Sequence, residues 1–270
     1  MNTLPKFHSN KKYWRTLTIM VFGEYLCCPD CGTAMKENYH CRYLWCKNCR
    51  RKHSPTAHHA SWLYGMKLSF RQLFVLIWCW QYRKSPDTAR LLCNVSYTTV
   101  TRWYARFRDH IPPDQLEKLA VSVQIDESYF GKKKSKQPQT IVVGAISHSG
   151  KIKLQITNSR SQEIIEDFVT SNVAKDSAIA SDKWYAYNDL EILGYGYIHE
   201  AWNHAEGFLA GTNQIEGLWS RIKRYLRKLY GCVQTTHLEA ILREWEARHN
   251  QRHLFESPEG FLRCTLRASN

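Results

Sequence analysis

The sequence predicts a multidomain α+β protein, and three observations carry that prediction. Two C-x2-C pairs, each able to sit on a tight turn, lie between residues 28 and 49. Residues 61–110 follow a helical period rich in aromatic side chains. From residue 116 onward, short β-branched runs come first and amphipathic helices follow. The resulting plan has three segments, 1–56, 57–115 and 116–270.

Composition sets the outer limits. A chain of 270 residues with 43% hydrophobic and 13% aromatic content can bury a core and is not a disordered polymer. Its longest apolar runs, around 17–22 and 73–80, fall far short of the roughly 18–20 residues a membrane span needs. Residues 1–10 carry no signal-peptide core, so an intracellular protein without a membrane partner is expected. The net charge of +14 is unevenly spread. Residues 1–115 hold 18 Lys+Arg against 6 Asp+Glu, whereas residues 116–270 hold 20 against 18. A basic front half points to a polyanion such as nucleic acid, although solubility alone would also favour net charge.

Six of the ten cysteines lie between Cys27 and Cys49. Cys28 and Cys31 form one pair, in C-P-D-C-G, and Cys46 and Cys49 form the other, in C-K-N-C-R. Fourteen residues separate the pairs, enough for a hairpin to bring both turns to one ion. Four thiolates at roughly 2.3 Å make a closed tetrahedral Zn2+ site with a structural role. The expectation for residues 1–56 is therefore an N-terminal segment and a zinc ribbon whose folding needs the metal. Cys27 and Cys41 are left over, as substitute ligands or packed thiols.

Between residues 69 and 82, Phe70, Leu73, Phe74, Ile77 and Trp78 recur at helical spacing. Ser85-Pro86 reads as an N-cap followed by proline in the first turn, opening a short helix through residues 88–92. Cys93-Asn94-Val95 makes a turn, and Ser96 caps a helix from Tyr97 to about Arg108. On that helix Val100, Trp103 and Phe107 share a face, leaving Thr98, Thr99, Arg102 and Arg106 on others. A short helix, a tight turn and a second helix bearing Thr and Arg is the plan of a helix-turn-helix DNA-binding domain, predicted for residues 57–115. A plain helical connector is the alternative. The segment Ile111-Pro112-Pro113-Asp114 ends it.

In the back half, Val121, Val123 and Ile125 alternate with Gln124 and Asp126, so Asp126 is expected on the face opposite the apolar residues. Residues 139–147 and 151–157 read as a hairpin through His148-Ser149-Gly150, and 161–172 as an amphipathic helix. Residues 178–180 form a short buried strand with Asp182 at its end, and 195–202 a further strand. Asn213–Tyr230 is a helix with a buried stripe of Ile215, Leu218, Trp219, Ile222, Leu226 and Leu229, stopped by Gly231. Glu216 lies off the stripe, with Asn213, Ser220, Lys223 and Arg227 along its own face. This element order is that of an RNase H-like α/β fold, expected for residues 116–270. Asp126, Asp182 and Glu216 can converge in such a fold and hold two Mg2+ ions roughly 3.5–4 Å apart for phosphoryl transfer. Hard oxygen donors suit Mg2+, as the upstream thiolates suit Zn2+. A helix from His237 to Arg252 carries Leu238, Ile241, Leu242 and Trp245 on one stripe, for core packing or for assembly.

Four segments carry a family resemblance: I-D-E-S-Y-F-G-K-K-K (125–134), S-D-K-W-Y-A-Y (181–187), T-N-Q-I-E-G-L-W-S-R-I-K-R (212–224) and H-L-E-A-I-L-R-E-W-E-A-R-H-N-Q-R (237–252). Together they resemble the Merlin superfamily of DDE transposases and its bacterial insertion-sequence relatives with an ISXO2-like transposase domain. The resemblance covers about residues 120–260. It implies Asp126, Asp182 and Glu216 as the catalytic triad and Mg2+ (or Mn2+) as catalytic cofactor beside structural Zn2+. It also implies auxiliary roles for Asn213 and His204. The lysine run 132–136 departs from a glycine-rich continuation seen in bacterial relatives. Glu127 is turned to the other face by strand alternation.

The expected activity is transposition: binding of terminal inverted repeats, cleavage of the element ends, and attack of the 3′-hydroxyl on target DNA. Thr98, Thr99, Arg102, Arg106, Lys223 and Arg227 are the expected DNA contacts. Double-stranded DNA and further copies of the chain are the expected partners. The site of action is the nucleus for a eukaryotic source and the cytoplasm or nucleoid for a bacterial one. The rival expectations are a transposase-derived regulator without catalysis and an RNase H-like nuclease without strand transfer.

Overall fold

A computed structural model describes residues 6–57, 61–115, 118–131, 139–182, 185–187, 189–202, 212–230 and 235–267. The chain divides into two units. The first comprises Met1–Pro112 with His253–Asn270, and the second comprises Pro113–Arg252. The expected third segment, 116–270, thus loses its last residues to the first unit.

The first unit opens on α1 (Asn10–Phe22), a helix the sequence reading did not anticipate. Ser9 caps it by accepting from the Lys12 amide, and Tyr13, Trp14, Leu17 and Thr18 are its buried face. A three-stranded antiparallel sheet follows, β1 (Lys36–Asn38), β2 (Tyr43–Cys46) and β3 (Arg51–His53). Then come α2 (Phe70–Gln81), α3 (Pro86–Cys93) and α4 (Tyr97–Asp109).

Local chemistry sets their ends. Ser69 and Gln72 form a reciprocal capping box on α2. Ser85 caps α3 ahead of Pro86. Asn94, at φ 51° and ψ 58°, takes the left-handed conformation that stops α3, and Ser96 then caps α4.

The core of this unit is aromatic. Trp80 lies 5.1 Å from Phe261 and 5.6 Å from Phe107, while Tyr13 stacks on Phe74 at 4.2 Å. Phe261 and Leu262 come from α8 (Pro258–Arg267), and Leu254 from the 3-10 turn before it, all fully buried here. Gln81 fastens the same segment by donating to the carbonyls of Leu254 and Ser257 at 2.8 and 2.9 Å. Apolar burial and these hydrogen bonds are why residues 253–267 belong with the first unit.

The second unit is built on a five-stranded mixed sheet of β4 (Ser122–Phe130), β5 (Thr140–Ser147), β6 (Ile152–Thr157), β7 (Ala178–Asp182) and β8 (Ile198–Trp202). Its order is β6-β5-β4-β7-β8. β4, β5 and β6 pair antiparallel, and β4, β7 and β8 pair parallel. β4 is therefore the centre, and strand alternation divides its side chains between two covers.

Val123 and Ile125 face α5 (Gln162–Asn172), packing with Ile165, Phe168, Val169 and the 3-10 residues Ala186 and Tyr187. Phe130, with Val142 and Ile146 of β5, faces α6 (Asn213–Tyr230) and α7 (Thr235–Asn250). Leu238, Ile241, Leu242 and Trp245 of α7 are all buried in that layer, so the stripe serves core packing.

α7 also covers the edge strand β6. The Ile152 amide donates to Asn250 Oδ1, the Asn250 amide returns a bond to the Ile152 carbonyl, and the Leu154 amide donates to Glu246. Val121, expected in the alternation, lies before β4, exposed at φ 72°, where the chain bends out of the Leu119–Val173 bridge. Among the described residues, no helix is long and apolar enough to cross a membrane.

Candidate functional site

The acids predicted from the sequence sit on adjacent elements of the second unit. The parallel register pairs Ser122 with Ala178, Val123 with Ile179 and Gln124 with Ala180. Continued by two residues, it sets Asp126 and Asp182 at one level on neighbouring strands and on one face of the sheet. That face is the one covered by α6, whose first turn carries Glu216.

The three carboxylates share a field. Burial pushes Asp126 up to about 6, and the charges of Asp182 and Glu216 push the same way. The Glu127 amide and the Trp219 indole oppose the shift. Trp219 Nε1 donates to Asp126 Oδ2 at 3.0 Å. Glu216 is exposed and accepts from the Thr212 hydroxyl at 3.0 Å, while its amide donates to the Thr212 carbonyl.

The start of α6 is fixed by β4 itself. Gln124, two residues before Asp126, accepts through Oε1 from the amides of Gln214 at 2.8 Å and Ile215 at 3.1 Å. These are unsatisfied donors at a helix N-terminus, so a strand side chain does the work of a cap. The strand bearing Asp126 and the helix bearing Glu216 are joined twice, by Gln124 at the helix start and by Trp219 one turn later.

Other predicted residues fall around this centre. Lys223 is half-buried, 5.5 Å over the Phe130 ring, with its pKa lowered by burial against the opposing pull of Asp126. Asn213 and Arg227 are exposed. His204 and the lysine run 132–136 lie outside the described residues.

Glu127 points to the other face, as alternation requires. There burial, with Asp126 and Asp182 nearby, pushes it up to about 7, against Tyr187 and Arg160. Its Oε1 and the Tyr187 hydroxyl are both buried and close, without a well-formed hydrogen bond between them. On the neighbouring strands, Ser181 bonds His199 Nε2 at 2.8 Å and donates to the Asp182 carbonyl, which ties the end of β7 to β8. Burial lowers the His199 pKa, in keeping with a neutral ring.

Among the described residues, the donor groups that all lie within 4.8 Å of one another are in the first unit. Cys28, Cys31, Cys46 and Cys49 form one group, with Cys28–Cys49 and Cys31–Cys46 sulfur separations of 3.9 and 3.6 Å. Zn–S bonds of 2.3 Å in a tetrahedron set sulfurs about 3.8 Å apart, so these thiols fit zinc. Each pair sits on a turn followed by a residue with positive φ, Gly32 at 70° and Arg50 at 54°. Glycine adopts that conformation without cost, and the second turn reaches it with arginine.

His53 was not anticipated. Its Nε2 lies 3.5 Å from Cys28 Sγ and 4.0 Å from Asp30 Oδ2, and these three form the second group. Cys27 and Cys41 are exposed and outside both groups.

On α4, Thr98 and Arg102 are exposed. The Thr99 hydroxyl is engaged with Ser96 at 2.8 Å as part of the cap. Arg106 is half-buried with its guanidinium 5.1 Å from the Trp103 ring.

Residues 118–250 match the sequence profile of the ISXO2-like transposase domain. No curated protein matches the chain. Among solved structures, one neighbour is a chain of the cryo-EM structure of the simian T-cell lymphotropic virus intasome in complex with PP2A regulatory subunit B56 gamma. The two share 14% identity at a TM-score of 0.31, and the match covers 58% of this chain and 60% of that one.

Proposed function

Residues 118–250 belong to the ISXO2-like transposase domain family, a group of DDE transposases, and from that premise we propose that the chain is a DNA transposase of the Merlin type. In this reading it binds terminal inverted repeats, cleaves element ends and joins the 3′-hydroxyl ends to target DNA. The observation that carries the proposal is the level placement of Asp126 and Asp182 on adjacent parallel strands, with Glu216 close enough to raise Asp126. The strand order β6-β5-β4-β7-β8 with helices on both faces supports an RNase H-like assignment for the second unit.

Asp126, Asp182 and Glu216 are the residues that would hold Mg2+ or Mn2+, and their donor chemistry fits. All three are hard oxygen donors, and burial with the charges of Asp182 and Glu216 makes Asp126 costlier to ionise than a free carboxylate, a cost that a nearby cation would offset. Such ions, when bound, supply Lewis-acid activation of the attacking water or hydroxyl and stabilise the leaving 3′-oxygen. The chain's own side chains do the rest. Thr212 orients Glu216, and Lys223 with Arg227 offers cations to the phosphate backbone beside the acids.

The α3–Asn94–α4 segment is assigned as a helix-turn-helix, with Thr98 and Arg102 presented for DNA and Arg106 contributing from its seat on Trp103. The four-thiol group is assigned as a zinc ribbon beside it. Two element ends must be held together, so a dimer or larger assembly is part of the proposal.

Incubation with labelled element ends, Mg2+ and a supercoiled target tests the whole reading. Joined products are expected. Binding without cleavage would instead identify a regulator, and cleavage without joining a nuclease. Asp182→Asn should abolish cleavage and leave end binding intact; retained cleavage would remove Asp182 from the catalytic set.

A further inference from the structure

Two sequence features of the second unit are left over once the acids are assigned: a glycine in the middle of an apolar strand, and a tryptophan on the helix of Glu216. Gly144 lies in β5 within V-V-G-A-I and is paired across the sheet with Asp126. Glycine weakens a strand interior, and it recurs there mainly where another group must approach closely. Here the approaching group is the Trp219 ring. A Cβ at Gly144 would stand 2.5 Å from Trp219 Cη2, 2.6 Å from Cζ2 and 2.9 Å from Leu154 Cδ2. The ring lies on the sheet at the one place where the strand carries no side chain, beside the acid.

Its polar edge is then aimed. Trp219 is 5% exposed, and its indole N–H donates to Asp126 Oδ2 at 3.0 Å. Core packing alone does not demand such a bond in this protein, because the buried indole nitrogens of Trp14 and Trp62 have no hydrogen-bond partner. Phe130 braces the same ring edge-on at 6.1 Å, and Lys223 lies over Phe130. Trp219 is also three residues after Glu216, so one rigid side chain couples the helix of one acid to the carboxylate of another.

We propose that Trp219, seated in the notch left by Gly144, is a positioning residue for Asp126. Its N–H occupies Oδ2 and fixes the carboxylate plane, so that the remaining lone pairs are presented to a divalent cation. This role rests on the reading of Asp126 as a metal ligand. Outer-shell donors of this kind are typically worth about 10–100-fold in metal affinity or activity.

The test uses the full chain, with Mn2+ binding followed by calorimetry and folding by circular dichroism in the absence of DNA, and cleavage read separately on DNA. Trp219→Phe keeps an aromatic ring and removes only the donor and the outer part of the indole. It should fold as the parent does and lose roughly tenfold in Mn2+ affinity. Its cleavage of element ends should be lost at low Mn2+ and return at saturating Mn2+, a separation that a merely structural residue would not produce. Gly144→Ala should show the same loss by displacing the ring. In the Trp219→Phe background the alanine should add less than it does alone, because the two ring atoms it would strike are gone and only the end of the flexible Leu154 side chain remains in its way. Should Gly144→Ala fail to fold, Trp219→Phe decides alone. Mn2+ binding lost in Asp126→Asn but unchanged in Trp219→Phe overturns the positioning role and spares the acid assignment. Binding unchanged in Asp126→Asn overturns both.

Discussion

Gln124→Ala isolates the tether at the start of α6. In the parent, Oε1 of Gln124 serves two amides that no helical carbonyl can satisfy, those of Gln214 and Ile215. The two are not equivalent. Gln214 is exposed and its amide can turn to water, whereas Ile215 is fully buried and its amide would be left without an acceptor. A lost cap costs about 0.5–2 kcal/mol, and a buried donor left unmade about 1–3 kcal/mol. With one amide rescued by solvent, a loss of about 1–2 kcal/mol is expected. For a unit of this size that corresponds to roughly 3–8 °C in its midpoint. Thermal unfolding followed by circular dichroism measures the total, and native-state hydrogen exchange at Gln214 and Ile215 localises it. Gln124→Glu retains the acceptor and should restore the protection. The reasoning is refuted if exchange at both amides is unchanged and the midpoint moves by less than about 1 °C.

Further outcomes follow from other parts of the molecule. Glu127 and Glu246 are both raised to about 7, chiefly by burial, so the folded chain holds more protons than the unfolded one between about pH 4.5 and 7. Stability should therefore fall as pH rises through that window, and Glu127→Gln should flatten the fall and gain on the order of 2 kcal/mol at pH 8 by denaturant unfolding. Phe261→Ala removes a fully buried ring packed on Trp80 and Phe107, and should cost the first unit about 3–5 kcal/mol in the same measurement, leaving the second unchanged. Replacing Cys28 and Cys31 with serine should abolish bound zinc measured by atomic absorption; unchanged zinc content would count against the four-thiol site.

The parts legible in the sequence are those written locally. The α6 helix was read as Asn213–Tyr230 and found there, because its stripe repeats over several turns. The caps at Ser85, Asn94 and Ser96 are short-range hydrogen-bond chemistry, and they lie where their residue types indicated. The faces of β4 followed from alternation, which set Asp126 against Glu127. What escaped were contacts between distant residues. Trp219 meets Asp126 across 93 residues, and Gln124 meets Gln214 across 90, with nothing near either position to announce a partner. Gly144 was the one available signal, a glycine where a β-branched residue would serve the strand better. α1 was missed because only a narrow stripe is buried, and Lys11, Lys12 and Arg15 interrupt its apolar pattern. His53 was missed because it stands outside the C-x2-C spacing and reaches Cys28 only through the β2–β3 pairing.

The return of residues 253–267 to the first unit bears on how the chain is made. A ribosome delivers Pro113–Arg252 as an unbroken stretch, so the acid-bearing unit can fold as soon as it has emerged. The first unit lacks part of its core until residues 253–267 have emerged, since Leu254, Phe261 and Leu262 are fully buried in it. Until then Trp80, Phe107 and their neighbours are without part of their cover. Synthesis thus delivers all of the acid-bearing unit before the last pieces of the core around the helices assigned to DNA recognition.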